Sequence, residues 1–183
     1  MTSEQIYDLI AKYSWQREPY LAIPYPAFNT CLRDITEEGL NKISEEVVHL
    51  SEAVFPSPPF PVKGILWNPN LRLMVPLVFR ETNKPNAKAL NVWCVFDTTC
   101  LHTFLSVKTI KALVGEEETV EDGYYLFDIQ VPNNGVTCCV SRVGSEFEHA
   151  NIIGMDAIRH LRVSPVFNLF QGTFSLVDAK NNE

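Results

Sequence analysis

The residues best placed to do chemistry are Asp97, Thr98 and Thr99. The apolar run Val92-Trp93-Cys94-Val95-Phe96 delivers Asp97 at its end, and the two hydroxyl residues follow at once. A carboxylate leaving an apolar strand is costly to bury unless it is hydrogen-bonded or functional. A turn aspartate is the structural alternative. Two further segments belong with this one, Leu101-His102-Thr103-Phe104-Leu105-Ser106 and the distant Ile152-Ile153-Gly154-Met155-Asp156. Other catalytic templates are missing: there is no G-x-S-x-G, no phosphate-binding P-loop and no G-x-G-x-x-G. His49, His102, His149 and His160 are scattered without metal-ligand spacing and read as surface or structural histidines. Zinc needs two close ligand pairs, and Cys100-x-His102 is the sole near-pair, so no metal and no cofactor are expected.

The elements that must position these residues divide the chain. Thr2 and Gln5 have capping-box spacing, and Ile6, Leu9, Ile10 and Tyr13 recur at helical intervals, predicting a helix that ends near Trp15. Pro19, Pro24 and Pro26 impose an extended connection. Leu40, Ile43, Val47, Leu50 and Val54 step by three and four, which predicts a second helix from Asp34 or Thr36 to Val54. Residues 1–54 thus read as a helical extension, docked on its own domain or offered to a protein partner. Residues 55–61, Phe-Pro-Ser-Pro-Pro-Phe-Pro, read as a stiff linker.

Beyond the linker the apolar period changes to two. Leu71, Leu73, Val75, Leu77 and Phe79 alternate with Arg72, Met74, Pro76, Val78 and Arg80, predicting a strand with one buried face and an edge or bulge at Pro76. Residues 90–96 form the next strand, and 104–114 a short strand and helical turn. Tyr125, Phe127, Ile129 and Val131 alternate into the turn Pro132-Asn133-Asn134-Gly135, and residues 136–143 return. A helical turn at 156–161 and short strands at 166–169 and 173–177 close residues 62–178, before a polar tail at 179–183. Many short strands with few helices predict a mostly-β barrel or sandwich.

The Asp97 and Ile152–Gly154 segments together resemble the retroviral-like aspartic proteases (retropepsins), of retrotransposon-derived and cellular type. That family carries Asp-Thr/Ser-Gly after an apolar strand, a segment similar to Thr103-Phe104-Leu105-Ser106, and an apolar-apolar-Gly segment before a short helix, here Ile152-Ile153-Gly154 before Met155-Asp156-Ala157-Ile158. Gly172-Thr173-Phe174-Ser175-Leu176 is similar to its final strand. The resemblance spans residues 62–178. It implies a retropepsin-like acid-protease β-barrel that forms a homodimer, with the 166–169 and 173–177 strands at the interface. Each chain would give Asp97 to a shared dyad. Two carboxylates so close cannot both ionise, so one would activate water as general base while the other polarises the scissile carbonyl. Thr98 would tie the two active-site loops together.

Three departures bear on activity. The family glycine is Thr99, a β-branched residue where backbone should lie close to the carboxylates. The following turn, Cys100-Leu101, is larger and more apolar than the usual one. About residues 116–124 remain for the flap that should close over a peptide substrate, and they are short and acidic. These departures favour a catalytically impaired descendant kept as a dimerisation or protein-interaction module. An active endopeptidase cleaving peptides with an Asp97 dyad is the alternative.

Composition agrees with a folded protein. The chain has 183 residues, 46% hydrophobic and 20% charged, with net charge −7. That acidity argues against nucleic-acid binding and against anionic membrane surfaces. No apolar run approaches the roughly 18 residues of a membrane-spanning helix. Met1-Thr2-Ser3-Glu4-Gln5 lacks the basic start of a signal peptide, and the five cysteines are odd in number without a C-x-x-C. A cytoplasmic or nuclear setting with free, buried thiols is expected.

Overall fold

A computed structural model describes residues 32–84 and 86–179. The helix expected to end near Trp15, the prolines that follow it, Cys31 and residues 180–183 lie outside the described residues.

Among the described residues ten strands dominate, in keeping with a mostly-β chain: β1 Glu52–Ala53, β2 Val62–Trp67, β3 Arg72–Glu81, β4 Ala89–Phe96, β5 Thr103–Ser106, β6 Tyr124–Ile129, β7 Gly135–Ser141, β8 Ile152–Ile153, β9 Val163–Asn168 and β10 Thr173–Asp178. Three short helices accompany them among the described residues: α1 Glu37–Leu40, α2 Val107–Val114 and α3 Met155–Leu161. The strands form one mixed sheet in the order β1-β4-β8-β5-β7-β6-β3-β2-β10-β9. An additional β3–β4 pairing closes β4-β8-β5-β7-β6-β3 into a ring of six.

The ring is filled by one face of its strands. Val75, Leu77 and Phe79 of β3 meet Val92, Cys94 and Phe96 of β4, with Phe127, Ile129 and Ile153, in a single buried cluster. The opposite face of β4 is buried too. Trp93 and Val95 pack with Met74, Ile152 and the N-terminal residues Leu32, Ile35 and Leu40 in a second cluster. Burial on both faces explains why β4 reads as a continuous apolar run rather than an alternating one. The one-sided burial expected for β3 is corrected on the same ground, since Met74 and Val78 are buried along with Val75, Leu77 and Phe79. Pro76 stands where neither β2, paired up to Met74, nor β6, paired from Phe79, reaches β3, which makes it a local edge inside a central strand.

The second predicted helix is reduced to one turn. α1 spans four residues, capped by Thr36, whose hydroxyl accepts from the Gly39 amide at 3.0 Å. Beyond it the Ser44 hydroxyl accepts from the amides of Glu46 and Val47, a local turn that competes with helix. Residues 47–53 then follow the outer edge of β4. The Leu50 amide donates to Asn91 O at 2.7 Å, the Asn91 amide to Ser51 O at 2.9 Å, and β1 pairs with Ala89 and Leu90. A helix over these residues would have left that edge of β4 without backbone partners. Ile43 and Val47, placed in the helical pattern, still pack against the second cluster, but from turns.

The proline-rich residues 55–61 have no regular structure and lie along the barrel. Phe60 packs on the ring core, Pro59 O accepts from Gln130 Nε2 at 2.7 Å, and the Arg80 guanidinium stands over the Phe55 ring at 4.9 Å.

Candidate functional site

β4 and β5 are consecutive in the chain, yet β8 lies between them. β8 runs parallel to β4, with Val95 opposite Ile152 and Phe96 opposite Ile153, and antiparallel to β5, with Phe104 opposite Ile152. The Asp97 amide extends the first ladder by donating to Ile153 O at 3.1 Å. Residues 97–102 must therefore pass around the end of β8. Two segments more than fifty positions apart in sequence meet there.

Gly154 is required by that passage. A Cβ on it would stand 2.3 Å from His102 O and 3.0 Å from Cys100 O, both backbone atoms, so any larger residue would push the loop off. The loop is then clasped to the start of α3. The Met155 amide donates to Cys100 O at 2.9 Å and the Asp156 amide to Leu101 O at 3.1 Å. Asp156 accepts from the Thr103 hydroxyl at 2.6 Å and from the Thr103 amide at 3.1 Å, and the Gly154 amide donates to Thr103 Oγ1 at 3.2 Å. His102 Nδ1 stands 3.5 Å from the same carboxylate. Deeper in, buried Asn151 accepts from the Ser106 amide at 3.0 Å and donates to Trp93 O at 3.2 Å, fixing β4 against β5. Sequence reasoning gave Asn151, Thr103 and Asp156 no roles. The signal was there in part, since a buried amide or carboxylate flanking an apolar triplet needs partners.

Asp97 is half-buried, while Thr98 and Thr99 are exposed. One Asp97 oxygen, Oδ1, accepts twice from Thr99, from its amide at 2.8 Å and from its hydroxyl at 2.6 Å. The Thr98 side chain makes no hydrogen bond among the described residues. Of the three predicted site residues, the fold thus joins Asp97 and Thr99 and leaves Thr98 exposed. Asp97 and Thr99 border an open groove whose other wall is Asn70, Leu71, Arg72 and Leu73, from the β2–β3 turn.

That wall is held by an ionic cluster the sequence did not reveal. Arg72 grips Asp34 through Nε and a terminal nitrogen, each at 3.0 Å, and Asn68 and Asn70 donate to Asp34 Oδ2 at 2.7 and 3.0 Å. Burial pushes the Asp34 carboxyl up, but the Arg72 guanidinium and the Asn70 and Asn68 amides outweigh it and hold it below the usual carboxylate range. Of the two expected helix starts, Thr36 caps α1 and Asp34 lies before it. It instead anchors the N-terminal segment beside the Asp97 groove.

Of residues 116–124, expected to supply a flap, 116–123 form turns and bends without strand pairing and Tyr124 begins β6. The hairpin of β6 and β7 is built into the ring, with β7 parallel to β5, rather than standing free. Cys94, Cys100, Cys138 and Cys139 are free thiols. Burial pushes all four above the usual thiol range, which makes them poor nucleophiles. Among the described residues no His, Cys, Asp and Glu group has the makings of a metal site, and no helix is long and apolar enough to cross a membrane.

No family model matches the chain, and no curated protein or solved structure was found to match it.

Proposed function

We propose that this chain is a retropepsin-like domain that pairs with a second copy and in which proteolysis has been impaired, leaving a dimerisation and protein-interaction module. The observation that carries this reading is the insertion of β8 between β4 and β5, which brings Asp97 against Ile153 and the loop that follows it against Gly154, the two segments on which the resemblance rests. The impaired state is supported by Thr99, which occupies Asp97 Oδ1 with two donors. An oxygen that already accepts two hydrogen bonds is less open to a water molecule or to a second carboxylate. Residues 116–123 point the same way, since they pair with no strand among the described residues, and a flap works by closing over a peptide and excluding water.

Dimerisation through the terminal hairpin is supported by its surface. β9 is the outermost strand of the sheet, and Val166, Phe167, Leu169 and Phe170 on it and its turn are exposed, Phe170 at 89%. An apolar edge strand is a ready template for a two-fold partner.

One observation favours the alternative of an active endopeptidase. Asp97 Oδ2 accepts no hydrogen bond among the described residues, so one oxygen is available to a dyad partner or a water molecule.

The purified chain is incubated with a mixed peptide library from about pH 4 to pH 7, beside an Asp97→Asn control. No cleavage by the wild type is the expected result. Cleavage that Asp97→Asn abolishes would establish the active protease instead. Sedimentation at tens of micromolar should show a dimer, and a monomer would overturn the paired site.

A further inference from the structure

Among the described residues, the outer face of the barrel is covered over only part of its width. On β4 and β8 it is buried in the second cluster, where Leu32, Ile35 and Leu40 pack with Trp93, Val95 and Ile152. Phe104 of β5 marks the limit of that cover, its ring edge-on to Phe147 at 5.3 Å. The same face continues across β7 and β6. Phe104 stands opposite Cys139 and Cys139 opposite Tyr124, while Thr137 stands opposite Leu126. These side chains point outward, because their strand neighbours Cys138 and Phe127 fill the ring. A sheet face left to water carries polar residues. This one presents Tyr124, 77% exposed, and Leu126, 45% exposed. The patch ends at Asp128, whose carboxylate is taken by Arg80 and Thr82.

The described chain begins at the margin of this patch. The Leu32 amide donates to Glu146 O at 2.9 Å, and Arg33 pairs with the Glu146 side chain, next to Phe147. Residues 1–31, outside the described residues, therefore join the fold where its cover stops. They carry Ile6, Leu9, Ile10 and Tyr13, which share one face at helical spacing. Residues 14–31 lie between that stripe and Leu32 and can span up to about 60 Å. From Phe104 to Tyr124 is two strand spacings, about 10 Å.

We propose that the stripe Ile6, Leu9, Ile10 and Tyr13 docks within its own chain on the outward face of β7 and β6, against Tyr124, Leu126 and Cys139, completing the cover that Leu32, Ile35 and Leu40 begin. Continuity selects this occupant: a stripe tethered at the margin of the patch competes at an effective concentration of about millimolar. The docking is independent of Asp97 and of pairing through β9, which lies at the end of the sheet.

The test is hydrogen exchange of the full chain, read by mass spectrometry at about 1 and about 50 micromolar. Amides of residues 6–13 should exchange about tenfold or more slowly than in a free peptide of the same sequence, equally at both concentrations. Tyr124→Ser/Leu126→Ser, at two exposed positions, should release that protection. A second measurement reports from the sheet. Iodoacetamide should reach Cys139 about tenfold faster in Ile6→Ser/Ile10→Ser than in the wild type, with the site located by fragmentation. Buried Cys94 should stay unmodified in both, showing that the barrel is still closed. Exchange of residues 6–13 at the free-peptide rate, or protection that survives Tyr124→Ser/Leu126→Ser, would overturn the proposal. Protection that fades on dilution would overturn it in favour of a second copy. Equal Cys139 rates in the wild type and Ile6→Ser/Ile10→Ser would overturn it in favour of a separate partner or solvent.

Discussion

Thr99 donates both its amide and its hydroxyl to the same oxygen of Asp97, at 2.8 and 2.6 Å. The hydroxyl residue two positions after Asp97 is thus the residue that engages its carboxylate. Thr99→Gly removes the hydroxyl donor and the β-branched bulk in one step. Peptide cleavage at mildly acidic pH is expected to rise from background by about 10²-fold. The gain should vanish in Thr99→Gly/Asp97→Asn. A Thr99→Gly protein that remains dimeric and inactive would show that Thr99 is not what silences the site.

Gly154 tests the clasp that places the loop. In Gly154→Ala the new methyl would meet His102 O at 2.3 Å, a backbone atom that cannot swing aside. The expected cost is about 3 kcal/mol. Thermal unfolding should fall by roughly 10 °C for a chain of this size. A loss under a degree or two would mean that residues 97–102 are not held against β8.

His49 is predicted to make the fold acid-sensitive. It is 8% exposed, and its Nδ1 accepts from the Trp93 amide at 3.1 Å, which requires the neutral ring. Burial and, secondarily, the Lys108 charge bring it down from 6.5 to about 4, with Glu37 opposing. A folded-state value below the unfolded one means that the unfolded chain takes up a proton first. Stability is therefore full above about pH 6.5 and declines as pH falls toward 4, by up to about 3 kcal/mol. Urea unfolding from pH 7 to pH 4 should show that slope, and His49→Gln should flatten it.

Asp34 acts in a lower window. Its carboxyl sits below 3.8 in the folded state, so its contribution is complete above that value and is lost only as pH falls through the lowered folded one. At neutral pH, Asp34→Asn leaves Arg72 without its carboxylate in a site where both side chains are 12% exposed. A loss of about 2–4 kcal/mol is expected by urea unfolding at pH 7.

The terminal hairpin offers a test of assembly apart from folding. Leu169 and Phe170 are 70% and 89% exposed. Changing both to serine should leave the melting temperature of the isolated chain near that of the wild type, because little buried area is lost. Sedimentation should show the dimer weakened by about tenfold or more. An unaltered dimer would place the interface elsewhere.

Strands β3 to β7, β9 and β10 were legible in the sequence because alternation or an apolar run bounded by turn residues marks each, and local rules read such patterns well; β1 fell in the expected helix, and β2 and β8 carried no strand expectation. The prominence of Asp97 and Gly154 was legible for a similar reason, since each stands against an apolar run. The helix over residues 34–54 was misread because its three-and-four spacing is local, while its fate depended on an edge of β4 brought close only by folding. Hydrogen bonds from Asn91 and a turn at Ser44 outweighed the helical pattern. Likewise nothing in the spacing shows that β8 slips between β4 and β5, that Thr99 folds back on Asp97, or that Asp34 reaches Arg72. By itself the sequence marked most of the segments that become strands and singled out the residues whose types could do chemistry, since propensity and periodicity act between near neighbours. The tertiary structure alone decided which of those segments pair, which faces are covered and which charges are answered, since those contacts join residues far apart in the chain and form only when the barrel closes.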